Sequence, residues 1–233
     1  MTLGVYTPGN APEMSRTTPV SEVSKYNVWN QLVRVVSEDM VAVYRYRPDG
    51  LRLSKTVDGV VTKHVWCGMH IVLELNASRQ VVNRFIRGLT LLSSYFHGWY
   101  TFNARGDVVM LVSCSGVVLR TYRYTAFGVE LSQGDGDTNL FRFAGMYWDS
   151  HTQTYMTPNR HFNPRIGRWT QPDPFWGIHN MQNCAWSIIQ AGNLFVYCGN
   201  NPVMFFDPSG LAKPYPMSST KFKSVKVCIF GVD

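Results

Sequence analysis

The 233-residue chain carries 22 Lys and Arg against 15 Asp and Glu, a net charge of +7, and is 45% hydrophobic and 14% aromatic. That apolar content excludes a wholly disordered chain, and no apolar run reaches the roughly 18 residues that a membrane-spanning helix needs. The basic charges stand singly among aromatics, as at Arg45, Arg47, Arg52 and Lys55, so a solvated basic surface is expected and nucleic acid is not expected as a partner.

Residues 1–22 are rich in Pro, Thr and Ser and read as an irregular lead-in. They lack the basic and apolar regions of a signal peptide. Either the protein stays inside the cell, or this is the end of a longer polypeptide whose export signal lies elsewhere. From Tyr26 onward, glycines punctuate short β-branched and aromatic runs, at Gly50, Gly59, Gly68, Gly88, Gly98, Gly106, Gly116 and Gly128. This is the spacing of strands joined by tight turns. Asp49-Gly50 and Asp58-Gly59 predict two-residue type I′ hairpins, in which both central residues take positive φ. In "VAVYRYR" the pattern puts Val41, Val43, Arg45 and Arg47 on one face and Ala42, Tyr44 and Tyr46 on the other. "VVLRTYRY" divides in the same way, with Leu119, Thr121 and Arg123 opposite Arg120, Tyr122 and Tyr124. Residues 24–172 therefore predict a meander of short antiparallel hairpins, loosely repetitive and growing by addition of hairpins. One short helix is expected near 178–190, with Met181, Ala185, Ile188 and Ile189 on one face and Gly192 as its stop. In the tail, Lys221 and Lys223 alternate with Phe222 and Ser224, as in one more strand. The fold class is mainly β.

The five cysteines, Cys67, Cys114, Cys184, Cys198 and Cys228, are odd in number and irregular in spacing, so they read as small buried hydrophobes rather than a disulfide framework. His64, Cys67 and His70 superficially suggest a metal site. On a strand, however, residue 67 points away from 64 and 70, and no fourth ligand is near, so no metal or other cofactor is expected. Arg105-Gly106-Asp107 reads as turn chemistry. No phosphate-binding loop or nucleophile elbow is present.

Two acidic turns remain, "TQPDPFWG" around Asp173 and "FFDPSGL" around Asp207. Asp before Pro is a common turn former, its side chain capping local N–H groups. In this context the turns carry more. The segments "YRPDGLRLSKTVDG" and "YTFNARGDVVMLVSCSGVVLRTYRYTAFG" resemble YD repeats. "FRFAGMYWDSHTQTYMTPNRHFNPRIGRWTQPDP" resembles the opening of the Rhs (rearrangement-hotspot) repeat-associated core, and "NLFVYCGNNPVMFFDPSGL" its close. Together they cover most of residues 24–211.

The resemblance implies a bacterial, mostly exported family whose repeats form a β-ribbon spiralling into a hollow shell around a C-terminal toxin. It divides the chain into a lead-in (1–22), a YD-repeat ribbon (23–131), a core ending in Asp-Pro-Ser-Gly-Leu (132–211) and a short toxin remnant (212–233). It further implies that Asp173 and Asp207 are paired carboxylates of an aspartic-type site. One would activate water and the other protonate the carbonyl, cutting Leu211–Ala212 once, in cis. Pro172, Pro174 and Pro208 would hold the carboxylates rigid, and Gly210 would admit the cut segment. Arg168 is a candidate for positioning the pair, or for a pairing with some surface carboxylate. The chain is too short for a complete shell, so its expected partners are the remainder of such a shell or other copies, through exposed strand edges. The competing reading is a surface-exposed β-scaffold that binds carbohydrate or a partner protein through its aromatics, without catalysis.

Overall fold

The computed structural model describes residues 23–132, 136–174 and 192–211, and the backbone of residues 215–216. The expected lead-in, the helix at 178–190 and the strand at 221–224 lie outside the described residues.

Eleven antiparallel strands form one sheet in strict sequence order. They are β1 (Val23–Tyr26), β2 (Leu32–Ser37), β3 (Met40–Tyr46), β4 (Arg52–Val57), β5 (Val60–Cys67), β6 (His70–Leu75), β7 (Val81–Arg87), β8 (Leu91–Ser94), β9 (Gly98–Phe102), β10 (Val108–Val112) and β11 (Val118–Thr121). Every strand pairs only with its sequence neighbours, so among the described residues the sheet is an open ribbon whose edge strands are β1 and β11.

The alternation read from the sequence sets the two faces. Ala42 and Tyr44 are buried while Val41, Val43 and Arg45 are exposed, and Tyr122 is buried while Leu119, Thr121 and Arg123 are exposed. The Asp58-Gly59 turn is of the expected kind, with φ of 48° and 86°. The Asp49-Gly50 turn differs: only Gly50 has positive φ, at 88°. Pro48 fixes a negative φ at the second turn position, so the chain makes a type I turn closed by a left-handed Gly. Arg47 N–H bonds Leu51 O at 2.8 Å and Gly50 N–H bonds Arg47 O at 3.0 Å.

This three-residue loop is the recurring unit of the ribbon. The same pair of backbone bonds closes Asn27–Gln31, Asn76–Gln80, Asn103–Asp107, Ser113–Val117 and Thr125–Val129. In each of these the first residue's side-chain oxygen also accepts the N–H four residues on, at 3.0 to 3.1 Å. Repetition in the sequence is thus repetition of a capped turn.

After β11 the chain leaves the ribbon and folds against its inner face. A second sheet holds β12 (Tyr147–Asp149), β13 (Thr154–Met156), β14 (His161–Asn163) and β15 (Arg168–Trp169), and a third pairs β16 (Phe205–Phe206) with β17 (Tyr215–Pro216). Phe141, Tyr147 and Met156 pack into one apolar cluster with Ile71, Phe85, Leu91, Tyr100 and Leu111 of the ribbon. Phe143, Tyr155, Phe162, Trp169 and Tyr197 make a second, aromatic cluster inside the core segment.

Polar ties accompany the packing. Arg52 Nη1 of β4 meets Asp149 Oδ2 of β12 at 2.8 Å, both fully buried. Tyr147 O–H donates to Glu74 of β6 at 2.7 Å. The Arg105–Asp107 turn is one such tie rather than an exposed loop tip. Asp107 is 1% exposed, Arg105 reaches it at 2.6 Å, and Asp107 Oδ1 accepts the Ala144 N–H at 2.8 Å.

The cysteine expectation needs correction. Cys198 is buried as expected, but Cys114 is exposed because it sits in the Ser113–Val117 turn, and Cys67 is disulfide-bonded. His64 is buried against Glu74, its Nε2 at 3.6 Å. Desolvation pulls its pKa down to about 4, so the contact is not an ion pair at neutral pH.

Candidate functional site: two aspartates on one arginine

The turn between β13 and β14 builds the centre of the site. Thr157 N–H donates to Arg160 O at 2.9 Å and Arg160 N–H to Thr157 Oγ1 at 3.1 Å, which locks the turn and aims the Arg160 side chain inward. The arginine is 1% exposed, and its guanidinium lies 4.2 Å from the Trp169 ring centroid. A cation this deep requires partners on every edge, and it has them. Nη2 meets Asp173 Oδ2 at 2.8 Å and Asp207 Oδ2 at 3.5 Å. Nε donates to Gly210 O at 2.6 Å, and Nη1 to Leu194 O at 3.2 Å.

The two sequence-predicted carboxylates are therefore together. Their Oδ2 atoms lie no farther apart than the 2.8 and 3.5 Å legs to Nη2 laid end to end. Asp173 is fixed by its own N–H, which donates to Leu194 O at 3.0 Å. Asp207 has two roles. Its Oδ1 accepts from Ser209 N–H at 3.2 Å, Ser209 Oγ–H at 2.9 Å and Gly210 N–H at 2.9 Å, which is the local turn that Asp-Pro forms readily. Its Oδ2 faces Arg160. Burial pushes the Asp207 carboxyl up to about 6, against the pull of Arg160 and of the Ser209 and Gly210 bonds, and with a further push from the Asp173 charge. Around pH 6 Asp207 is thus poised between acid and carboxylate, the condition for one group that gives a proton beside another that takes one.

The segment before the expected cleavage point lies against the same group. Gly210 takes φ of 70°, and a Cβ there would overlap Thr157 Oγ1. Its carbonyl is the one held by Arg160, one peptide before the expected bond, while Leu211 N–H donates to Ser209 Oγ at 3.1 Å. Ala212 lies outside the described residues.

Arg168 stands elsewhere. On β15 its neighbour Trp169 is buried, so Arg168 points the other way and donates to Asn200 Oδ1 and to the Gly167 carbonyl. Arg160, not Arg168, contacts the carboxylates. Proximity in sequence to Asp173 singled out Arg168. Arg160 reaches the aspartates only through the pairing of β13 to β15, which sequence spacing does not reveal.

An open ribbon of antiparallel hairpins, folded over an aromatic core segment that ends in a paired-aspartate turn, defines a β-shell protein. The Teneurin YD-shell family matches residues 97–203. The tRNA3(Ser)-specific nuclease WapA of Bacillus spizizenii is 34% identical over 179 residues, 72% of this chain and 7% of that protein. The tRNA nuclease WapA of Bacillus subtilis is 32% identical over 182 residues, again 72% and 7%. Among solved structures, a TcdB2-TccC3-TEV crystal structure matches with a TM-score of 0.59 at 19% identity, over 82% of this chain and 10% of that one. A Tc holotoxin pore of Photorhabdus luminescens matches with 0.59 at 17% identity, over 88% and 10%. The chain belongs to the Rhs/YD-repeat family, and spans 7% of the length of these curated relatives.

Proposed function

We propose that this chain is part of an Rhs-type encapsulating shell, and that it cuts itself once after Leu211. The observation that carries the cleavage reading is the meeting of Asp173 and Asp207 on Arg160, beside the Gly210 carbonyl. With Asp173 ionised against Arg160 and Asp207 protonated, Asp173 takes a proton from water as the oxygen attacks the Leu211 carbonyl carbon. Asp207 protonates the carbonyl oxygen; as the tetrahedral intermediate collapses, Asp173 passes the proton it took from water to the Ala212 nitrogen, Asp207 recovers a proton from a hydroxyl, and the bond to that nitrogen breaks to leave the Leu211 carboxyl and a free amine. The reaction calls on water and two carboxylates and on no cofactor.

The ribbon supports the encapsulation reading, since its inner face is lined by the core and, among the described residues, β1 and β11 stand at its edges where further strands could add. Its partners are then the rest of a larger shell, and its place is outside the cell or on its surface. No helix among the described residues is long and apolar enough to cross a membrane. The likeness to nuclease WapA proteins favours a toxin-bearing shell over a carbohydrate-binding scaffold. Intact mass of the reduced protein beside Asp207→Asn tests the cleavage reading.

A further inference from the structure

A cavity of about 500 Å³ lies between the ribbon and the closing turn. Most of its wall is apolar, with Trp66, Leu91 and Phe102 from the ribbon facing Met146, Met156 and Phe206 from the core segment. Several polar side chains also line it, and most of these are committed to partners of their own. Asn103 and Arg105 both hold Asp107. Thr157 Oγ1 donates to Arg160 O at 2.8 Å, and Ser209 Oγ–H to Asp207 Oδ1 at 2.9 Å.

Arg87, at the end of β7, is the exception. It lines the cavity, donates Nε–H to Ile71 O at 3.1 Å and lies over the Phe141 ring at 4.7 Å. Among the described residues it has no carboxylate partner, and Nη1 and Nη2 make no hydrogen bond. Desolvation pulls its pKa down to about 10, so it is still a cation at neutral pH. His70, on the same wall, is pulled down to about 4 by desolvation and by the Arg87 charge, and is neutral there. The corner therefore holds one positive charge in apolar surroundings with nothing to balance it, a costly arrangement unless an anion joins it.

This pattern selects the chemistry of a ligand. It calls for one anionic group at one end and no polar group along the rest. A peptide fits poorly, because its backbone N–H and C=O groups would find few partners on this wall. A carboxylate suits the end-on fork of a guanidinium, which offers two parallel N–H donors. The thioethers of Met69, Met146 and Met156 give a wall that adapts to a flexible chain, and the volume is in the range of small-molecule sites.

We propose that this cavity binds a single-chain amphipathic carboxylate, a medium-chain fatty acid, with its carboxylate on Nη1 and Nη2 of Arg87 and its chain along the apolar wall toward Phe206. This goes beyond the shell reading and depends neither on encapsulation nor on cleavage.

The test is calorimetric titration of the full chain with octanoate, with decanoate and with decyltrimethylammonium, which has the same tail as a cation. One saturable site is expected for the carboxylates, tightening about fourfold per added methylene, and none for the cation. Arg87→Gln should weaken decanoate about tenfold, the worth of a charged hydrogen bond. Ala104→Trp decides the matter if Arg87→Gln does not fold. Ala104 is an exposed residue of the Asn103–Asp107 turn that lines the cavity, so the indole should occupy the space and weaken decanoate while Arg87 stays in place. Absence of saturable decanoate binding, equal binding of decyltrimethylammonium, or unchanged decanoate affinity in the folded variants overturns the proposal.

Discussion

Asp173 and Asp207 converge on one nitrogen, Nη2 of Arg160, at 2.8 and 3.5 Å. Two buried carboxylates repel each other, so their juxtaposition depends on that cation. Arg160 also holds the Gly210 carbonyl, and so ties the acid pair to the turn leading into Leu211.

Replacing Arg160 should therefore be severe, because it strands two buried carboxylates. Arg160→Met is expected to cost about 3–5 kcal/mol, the penalty for breaking a buried ion pair from one side. Arg168→Met, which loses bonds to Asn200 and a backbone carbonyl at a partly exposed site, is expected to cost about 1 kcal/mol or less. Urea denaturation of both variants checks the contrast. Equal costs would show that the two arginines are not distinguished as the geometry distinguishes them.

Gly210 is needed for two reasons, its φ of 70° and the absence of room beside Thr157. Gly210→Ala is expected to destabilise by about 1–3 kcal/mol, from strained backbone and overlap together. Combining it with Thr157→Ala, which removes the overlapping oxygen, should recover part of that loss. Denaturation midpoints of the single and double variants measure it.

How much of this was legible beforehand follows from which interactions are local. Hairpins, their faces and the Asp58-Gly59 turn are written in neighbouring residues, and period-two alternation at 41–46 and 119–124 matches the buried and exposed faces. Pro48 altered the neighbouring turn, a local effect that the Asp-Gly pair alone conceals. The two aspartates stood out because each sits in an Asp-Pro turn within segments resembling one family. Arg160 did not, since only the pairing of β13, β14 and β15 turns its side chain toward Asp173. The buried Arg105–Asp107 knot was hidden for the same reason: its partner, the Ala144 N–H, comes from the core segment that folds against the ribbon.

The pH response has a definite sign. The Asp207 carboxyl ordinarily ionises near pH 4 and here near 6. The stability it contributes is thus full below about pH 4 and is lost as pH rises through about 6. His161 and His64, pulled down by burial to about 3 and about 4, act oppositely, their contribution present above about 6.5 and lost as pH falls through those values. Comparing wild type with Asp207→Asn isolates the first effect. The variant should gain stability relative to wild type between pH 5 and 7.5, as followed by denaturation at each pH. A constant difference would show that Asp207 is not shifted. Any self-cutting should slow over the same rise, as the proton donor is lost.

The edge strands carry a further expectation. Val118 of β11 is 51% exposed and Val23 of β1 likewise 51%, on the two strands that end the sheet among the described residues. Alone, this chain should associate with concentration in light scattering, and Val118→Lys should reduce that association, since a charged edge opposes strand addition. A monomer at all concentrations would argue against free edges.

The most direct test of the central claim is intact mass spectrometry of freshly purified protein under reducing conditions, beside Asp207→Asn and Asp173→Asn. Wild type should lose residues 212–233 while both variants keep the full mass. A wild-type chain that stays whole through prolonged incubation at pH 5 to 6, or variants that are cut as fast as wild type, would contradict the account.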